Sequence, residues 1–554
     1  MNNFDWIIFI GYMIGMVILA VYLGKSQKNE KDYYVGGNDI NYWAIGISTM
    51  ATQCSTNSLL GAPAFVISVG GLLWLQYELA VPLAMIAVMV LLLPFFRKQS
   101  IISVYEYLEK RFGPGTRTML SVLFQFLRAF STGVTVYGIS IVLQHIIGLP
   151  FWIAVLCLGI ITVIYDFFGG MKAVVYSDVI QMIILYTGII FCLYYAISLA
   201  GGWSEMWKLF PSDMAQTIDL KGHGFGDGKT FAFWPMLFGG LFLYVSYYGC
   251  DQTQVQRELS SKSIDDTNMS LFINGIFRFP LVITYCLVGV AIGAFIVKSP
   301  NFLNLITNSS GAVDYNLAVP VFVLEYLPHG VIGLIIVALF AAAMSSLDST
   351  INSLSAVTVR DIIERFWIKG SLDEKRQLLW SRLTTVFWGG MCVGFSFFVG
   401  NISGSIIESI NKIGSLANGP ILATFLLAIL TRKATGKGTV IGILAGFCAN
   451  LYLWIAHPEI SWLWWNVSGC FITFTVGYYT SIILNLEFNF SGSNGQFIKY
   501  SSEGENKNID DLLWSSNAKK QFNYKKNWPK YYAILIGYFF LMIIVLKIIE
   551  GFSK

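Results

Sequence analysis

ALFAAAMSSLDSTINSLSAVTVRDI, running from Ala338 to Ile362, decides how the rest of the chain is read. It opens as an apolar, membrane-crossing segment. It then places Ser345, Ser346, Asp348, Ser349, Thr350, Asn352 and Ser353 within about two helical turns. Hydroxyls and a carboxylate at that density are hard oxygen ligands, the kind that replace water around a small cation. Ser345 and Ser349 are four apart and Ser345 and Asp348 three apart, so they share one helix face. A bilayer tolerates such a face only where it looks into protein or a wet cavity. Hydroxyls bonding back to their own helix carbonyls account for one or two of the serines, but poorly for Asp348. The stretch predicts a membrane helix that carries an ion site.

Composition puts the whole chain in the same setting. Its 554 residues are 55% hydrophobic and 12% charged, against about 25% charged in an average soluble domain. The formal net charge of +4 carries no nucleic-acid signal, because what matters is how the basic residues are distributed. The eight cysteines lie mostly inside apolar runs without CxxC spacing, so they read as small apolar residues and not as a disulfide or metal framework. The N-terminal segment has neither a basic region before its apolar run nor a small-residue cleavage site after it, so it reads as a first transmembrane helix. No nucleophile–base or metal constellation points to an enzyme.

Apolar runs long enough to span fall near 5–23, 42–68, 72–96, 119–147, 150–168, 175–200, 231–249, 270–297, 330–353, 380–400, 403–430, 437–456, 461–485 and 531–549. They predict an all-α polytopic membrane protein with about fourteen transmembrane helices. With both termini outside, most loop Lys and Arg fall on the inner side, and the outer loops hold only Lys208, Lys221, Lys229 and Lys298 before Lys554. The polar segment 486–530 reads as a flexible cytoplasmic linker. No segment is large enough for a soluble signalling domain, which argues against a sensor; a channel would need a continuous filter and no alternating access, and solute-free sodium flux would reveal it.

Two runs carry helix-breaking residues: ISTMATQCSTNSLLGAP (47–63) and GGLFLYVSYYGCDQTQVQR (239–257). Broken helices five spans apart point to the binding site of an inverted-repeat transporter, since unwound backbone at membrane depth survives only where it lines a cavity. An ordinary kink at Gly61 and Pro63 is the plainer alternative. Glu78, Arg128, Asp178, Arg278, Asp348, Glu408 and Lys412 sit within or near the ends of apolar runs. Each is costly there unless paired, wet or functional. An intrahelical Glu408–Lys412 pair, a snorkelling Arg128, a structurally paired Arg278 and a helix-start role for Asp178 are the plain readings beside the functional ones.

Five ordered blocks give the chain a resemblance: DYYVGGNDINYWAIGIS (32–48), SVYEYLEKRF (103–112), FGGMKAVVYSDVIQ (168–181), QVQRELSSKS (254–263) and LFAAAMSSLDSTINSLSAVTVRDI (339–362). Together they resemble the sodium:solute symporter family over roughly 30 to 485. The resemblance implies a LeuT-like inverted five-helix repeat with extra helices at either end. It divides the chain into an N-terminal helix (1–30), a first repeat (31–200), an extracellular loop (201–230), a second repeat (231–436), additional helices (437–485), the linker (486–530) and a C-terminal helix (531–554).

The resemblance also implies site residues. A main sodium site uses backbone oxygens of Ala51 and Cys54 with Ala342, Ser345 and Ser346. A second cation site draws on Asp178, Ser345, Asp348 and Ser349, where Asp348 replaces the hydroxyl or small residue usual in the family. Asn57, Ser58, Glu78, Arg278 and Asn411 fall at substrate positions, and Tyr247 or Tyr248 at the inner gate. Arg128 and Lys412 are candidates for holding a substrate carboxylate. The implied activity is sodium-coupled import of a small polar organic solute across the plasma (inner) membrane. A sugar or sugar-like compound comes first and an organic anion such as a sialic acid or monocarboxylate second. Na+, the solute and the lipid bilayer are the expected partners, with no obligatory protein partner.

Overall fold

The computed structural model describes residues 2–54, 56–308, 311–367, 373–398, 406–490, 512–514, 522 and 524–553. The side chains of Asn57 and Glu408 and most of the 486–530 linker lie outside the described part. Among the described residues the secondary structure is helical, with isolated bridges and no strand. In chain order the helices are α1 (Asn3–Gly24), α2 (Glu30–Val35), α3 (Tyr42–Gln53), α4 (Thr56–Ser68), α5 (Ala80–Leu91), α6 (Leu93–Lys98) and α7 (Tyr105–Phe112). Then follow α8 (Pro114–Ile147), α9 (Phe151–Ala200), α10 (Trp203–Leu209), α11 (Gly240–Cys250), α12 (Gln252–Leu259), α13 (Ile264–Lys298) and α14 (Phe302–Leu305). The last are α15 (Ala318–Tyr326), α16 (Val331–Val357), α17 (Glu374–Phe398), α18 (Ile406–Leu430), α19 (Gly436–Ala456), α20 (Trp464–Phe490) and α21 (Trp528–Gly551).

By length and composition, ten helices among the described residues can cross a membrane. They are Asn3–Gly24, Gly71–Lys98, Pro114–Gln144, Phe151–Ala200, Ile264–Lys298, Val331–Trp367, Asn411–Leu430, Gly436–Ala456, Trp464–Leu484 and Trp528–Gly551. The difference from the fourteen apolar runs has physical causes. The α3–α4 pair and the α11–α12 pair are each broken into pieces too short to count. The 50-residue α9 counts once although it folds as two helices about Gly170. α17 carries Glu374, Lys375, Arg376 and Arg382 and is not among the ten.

The breaks have specific chemistry. Gly170 has φ 53° and ψ −158°, and an added Cβ would stand 2.7 Å from the Tyr33 carbonyl oxygen. Only glycine meets both conditions without strain. At Asp251 the backbone turns extended, and its side chain caps α12 by accepting from the Thr253 N–H at 2.8 Å. α3 stops at Gln53, with Cys54 leaving helical geometry at φ −82° and ψ 65°. The eight cysteines are free thiols, six of them buried.

α16 is the axis of the molecule. It is buried almost from end to end and packs against α9, α8, α1 and α17. Its polar residues therefore face protein and not lipid, as the opening stretch requires.

Candidate functional site

Where α3 ends, its last carbonyls lack intrahelical partners, and two serines of α16 meet them. Ser345 Oγ lies 3.4 Å from the Ala51 carbonyl oxygen and 3.2 Å from that of Ala342. Ser346 Oγ lies 3.3 Å from the carbonyl oxygens of both Thr52 and Ala342. These separations exceed the roughly 2.7–2.8 Å of a relaxed hydroxyl hydrogen bond. The result is a cradle of neutral oxygens, set slightly apart, whose donor chemistry fits a small hard cation. Cys54, 4% exposed, closes the helix beside it. The cradle brings together Ala51, Ala342, Ser345 and Ser346 and adds Thr52, which sequence reading passed over.

One turn further along α16 the chemistry changes sign. Asp348, 0% exposed, accepts from Tyr165 Oη and from the Ser349 N–H. Ser48 Oγ donates to Asp178 Oδ2 at 2.5 Å, and Arg257 Nη2 stands 3.7 Å from the same oxygen. That guanidinium also donates to Ser349 Oγ at 2.5 Å. Asn352 donates to Asp166 at 3.1 Å. Asp178, Asp348 and Ser349 thus do converge, but Arg257 is wedged between Asp178 and Ser349. Sequence reading missed Asp166, Tyr165 and the role of Arg257. The clue was an Asp inside the apolar run 150–168, and an Arg in a block already quoted for its resemblance.

A central cavity of about 220 Å³ lies against the neutral cradle. Thr52 and Ser346 form part of its wall, as do Ser58, Arg128, Tyr247, Arg278 and Asn411. Glu78, Lys412 and Tyr248 are not in that wall. Glu78 is held behind Arg278, which donates through Nε at 2.6 Å and Nη2 at 3.0 Å, and Tyr244 Oη donates to it at 3.1 Å. Lys412 Nζ sits 5.9 Å from the centroid of the Trp465 ring, and Tyr248 donates to the Gln53 side chain. Arg128 pairs with Asp251 (Nη2–Oδ2 2.5 Å) and lies 5.0 Å over the Tyr247 ring. It neither snorkels nor stands alone. Its partner Asp251 is another wall residue that sequence reading missed, although it lies within the second broken stretch.

The model of the sodium:solute symporter family matches residues 33–446, well over half of the chain. This chain belongs to that family. The symporter is 27% identical over 514 residues to the human sodium-coupled monocarboxylate transporter 1, covering 88% of this chain and 80% of the relative. It is 27% identical over 498 residues to the sodium/sialic acid symporter NanT of Aliivibrio fischeri (88% and 95% covered). It is 29% identical over 471 residues to the sodium/glucose cotransporter of Vibrio parahaemolyticus (80% and 85%). Among solved structures, the substrate-bound outward-open state of a Na+-coupled sialic acid symporter matches with a TM-score of 0.78 at 25% identity, covering 87% of this chain and 98% of that one. The symporter is accordingly a multi-pass membrane protein and a sodium-coupled secondary transporter, and not an enzyme.

Proposed function

We propose that this symporter imports a small polar organic solute together with sodium by alternating access, and that the solute is a sugar or sugar-like compound. One observation carries the reading: Thr52 and Ser346 belong both to the oxygen cradle and to the cavity wall. Sodium on Ala51, Cys54, Ala342, Ser345 and Ser346 would bridge α3 and α16, which belong to different repeats. An ion that binds better when the two are together biases the conformational equilibrium by that difference in affinity, and so couples ion to solute. Each sodium contributes roughly 2.3 kcal/mol per 100 mV of membrane potential, besides its concentration gradient.

The cavity's hydroxyl and amide lining, including Gln53, Ser58, Ser131 and Asn411, supports a hydroxylated solute through groups that both donate and accept. Arg278 offers its remaining donor capacity at the wall. Asn57 is proposed as a further contact and Glu78 as the group that orients Arg278. Tyr247 at the wall is the better placed of the two inner-gate candidates. A second reading, an organic anion, is favoured by Arg128 in the same wall, and the sialic acid and monocarboxylate relatives support it. Lys412, set against Trp465, is a weaker carboxylate contact. Asp178, Asp348 and Ser349 are proposed as a second cation site.

We also propose fourteen crossings in the plasma (inner) membrane with both termini outside, arranged as the two inverted repeats and flanking segments set out above. The division of α9 at Gly170 and the two broken helix pairs support that count. The test is uptake into proteoliposomes under a sodium gradient, across a panel of sugars and organic acids. Accumulation that persists with choline replacing sodium would overturn the coupling. Uptake confined to acids would replace the sugar reading with the anion one.

A further inference from the structure

Past Val357 the α16 helix runs on through Thr358–Trp367, and on that continuation one guanidinium meets three carboxylates. Arg360 Nη1 lies 2.6 Å from Glu364 Oε2 and 3.7 Å from Glu30 Oε2 of α2. Its Nε lies 3.4 Å from Glu106 Oε1 of α7. Glu106 has further donors, the backbone N–H groups of Ile102 at 3.2 Å and Ser103 at 3.0 Å. In Glu30 and Glu364, by contrast, one oxygen has no donor at all: Oε1 of each is buried without a hydrogen-bond partner. Glu30 as a whole is 4% exposed. Two carboxylates thus meet at a single nitrogen, each with one oxygen unused.

The charges nearby do not balance this group. Beside it, Arg117 donates through Nε to Asp361 at 2.8 Å and pairs with Glu109 at 2.5 Å, and Arg365 pairs with the same Glu109 at 2.5 Å. Those two cations and two carboxylates cancel. α17, which also packs on α2, has Glu374, Lys375 and Arg376 at its exposed end and Arg382 over the Phe167 ring. α9 and α12 meet α2 at Tyr33 and Tyr34, through the Asp166 carbonyl and Gln256 Nε2. Among the described residues Arg360 is therefore the cation set against Glu30, Glu106 and Glu364. A proton supplies the missing positive charge, because a protonated carboxyl gains an O–H that donates to a neighbouring carboxylate. The Arg360 side chain keeps 28% exposure, which opens a route for that proton from water. Burial, with the Glu364 carboxylate and against the pull of Arg360, pushes the Glu30 carboxyl up to about 8.

The position of the group gives the proton a task. α2 leads into α3, whose last carbonyls form one half of the oxygen cradle, and α16 carries the other half. We propose that Glu30, Glu364 and Arg360 form a proton-operated latch that joins those two halves at their cytoplasmic ends, shut while one proton is shared between the carboxyls and released when it leaves. The latch rests on the alternating-access reading and the orientation proposed above, and adds to them a control by cytosolic pH. The neighbouring contact between Tyr34 Oη and Ser355 Oγ, at 2.8 Å, joins the same helices without a carboxyl, so the pH response belongs to the latch. The shut latch holds a proton at a pH where a hydrated Glu30 does not. Acid therefore favours closure, and closure is lost as pH rises through about 8.

The experiment is backbone hydrogen exchange of the purified full-length protein at pH 7 and pH 9, each rate divided by that of Glu30→Gln at the same pH so that the intrinsic pH dependence of exchange cancels. It needs neither solute nor sodium. In α2 and in Thr358–Trp367 the wild-type ratio is expected to rise about tenfold between the two, the change that a carboxyl titrating at about 8 imposes on a local opening. In α19, far from the latch, the ratio should stay level. Glu364→Gln should abolish the rise as well, and serves as the reference if Glu30→Gln fails to fold. A level wild-type ratio in α2 overturns the latch, as does a full rise in Glu364→Gln. Repeating the measurement in saturating sodium separates the two readings: an ion bridging α3 and α16 is expected to suppress the rise. A rise that sodium leaves unchanged keeps the latch and overturns the sodium bridge of the proposed function instead.

Discussion

Ser345 and Ser346 present neutral oxygens to α3, whereas one turn along the same helix Asp348 presents a carboxylate to α9 and Ser349 meets the Arg257 guanidinium of α12. The first region borders the cavity and the second is sealed. A cation that leaves the neutral cradle strands no buried charge. One that leaves the carboxylate side does, and the cost of that is several kcal/mol unless another cation takes its place. Arg257 is such a cation, tethered to the chain. The comparison teaches that two polar clusters on one helix would release a cation at different cost, although their residues are neighbours in sequence.

The comparison breaks most visibly at Arg257. Arg257→Met leaves Asp178 without its guanidinium, and the expected loss is about 3–5 kcal/mol of stability. Unfolding of the detergent-purified protein measures it, and a wild-type transition would show that the carboxylates are compensated some other way. Asp178→Asn should lower the sodium Hill slope of uptake from near two toward one, on the proposed stoichiometry, with residual transport retained. An unchanged slope would reduce the contrast to one functional site and one structural cluster.

On the neutral side, Ser346→Ala is expected to raise the half-saturating sodium concentration about tenfold, the worth of one hydroxyl ligand, while barely moving the unfolding transition. A large loss of stability would erase the distinction between the regions. The smallest effect is expected at the cavity wall. Asp251→Asn weakens the partly exposed hold on Arg128, so a carboxylate solute should inhibit uptake about threefold more strongly, within the range for such pairs. Unchanged inhibition would indicate that Arg128 is structural.

How far these regions could be read from sequence follows the range of the interactions. The serine pair and Asp348 are crowded within a few residues, so their face on α16 was legible from spacing alone. The partner carbonyls of Ala51 and Ala342 came from the resemblance, and the structure brings them to the serines. Glu78 and Arg278 were singled out separately as membrane-depth charges, but they are 200 positions apart, and no local pattern announces that they occupy each other. Asp166 was passed over because one carboxylate in a long apolar run does not break its periodicity. Fourteen apolar runs became ten spanning helices among the described residues, because hydropathy registers apolar length and reads α3 and α4 as one run across the break at Cys54, while α9, read as two runs, is one helix turned at Gly170.

The turn at Gly170 has a consequence for sequence drift. The Tyr33 carbonyl and the Gln27 amide lie 2.7 and 2.9 Å from where a side chain would begin, so even alanine must push the segment after α1 away from α9. Any side chain at position 170 is therefore strained, and relaxing it would require the α1–α2 connection to be rebuilt at the same time.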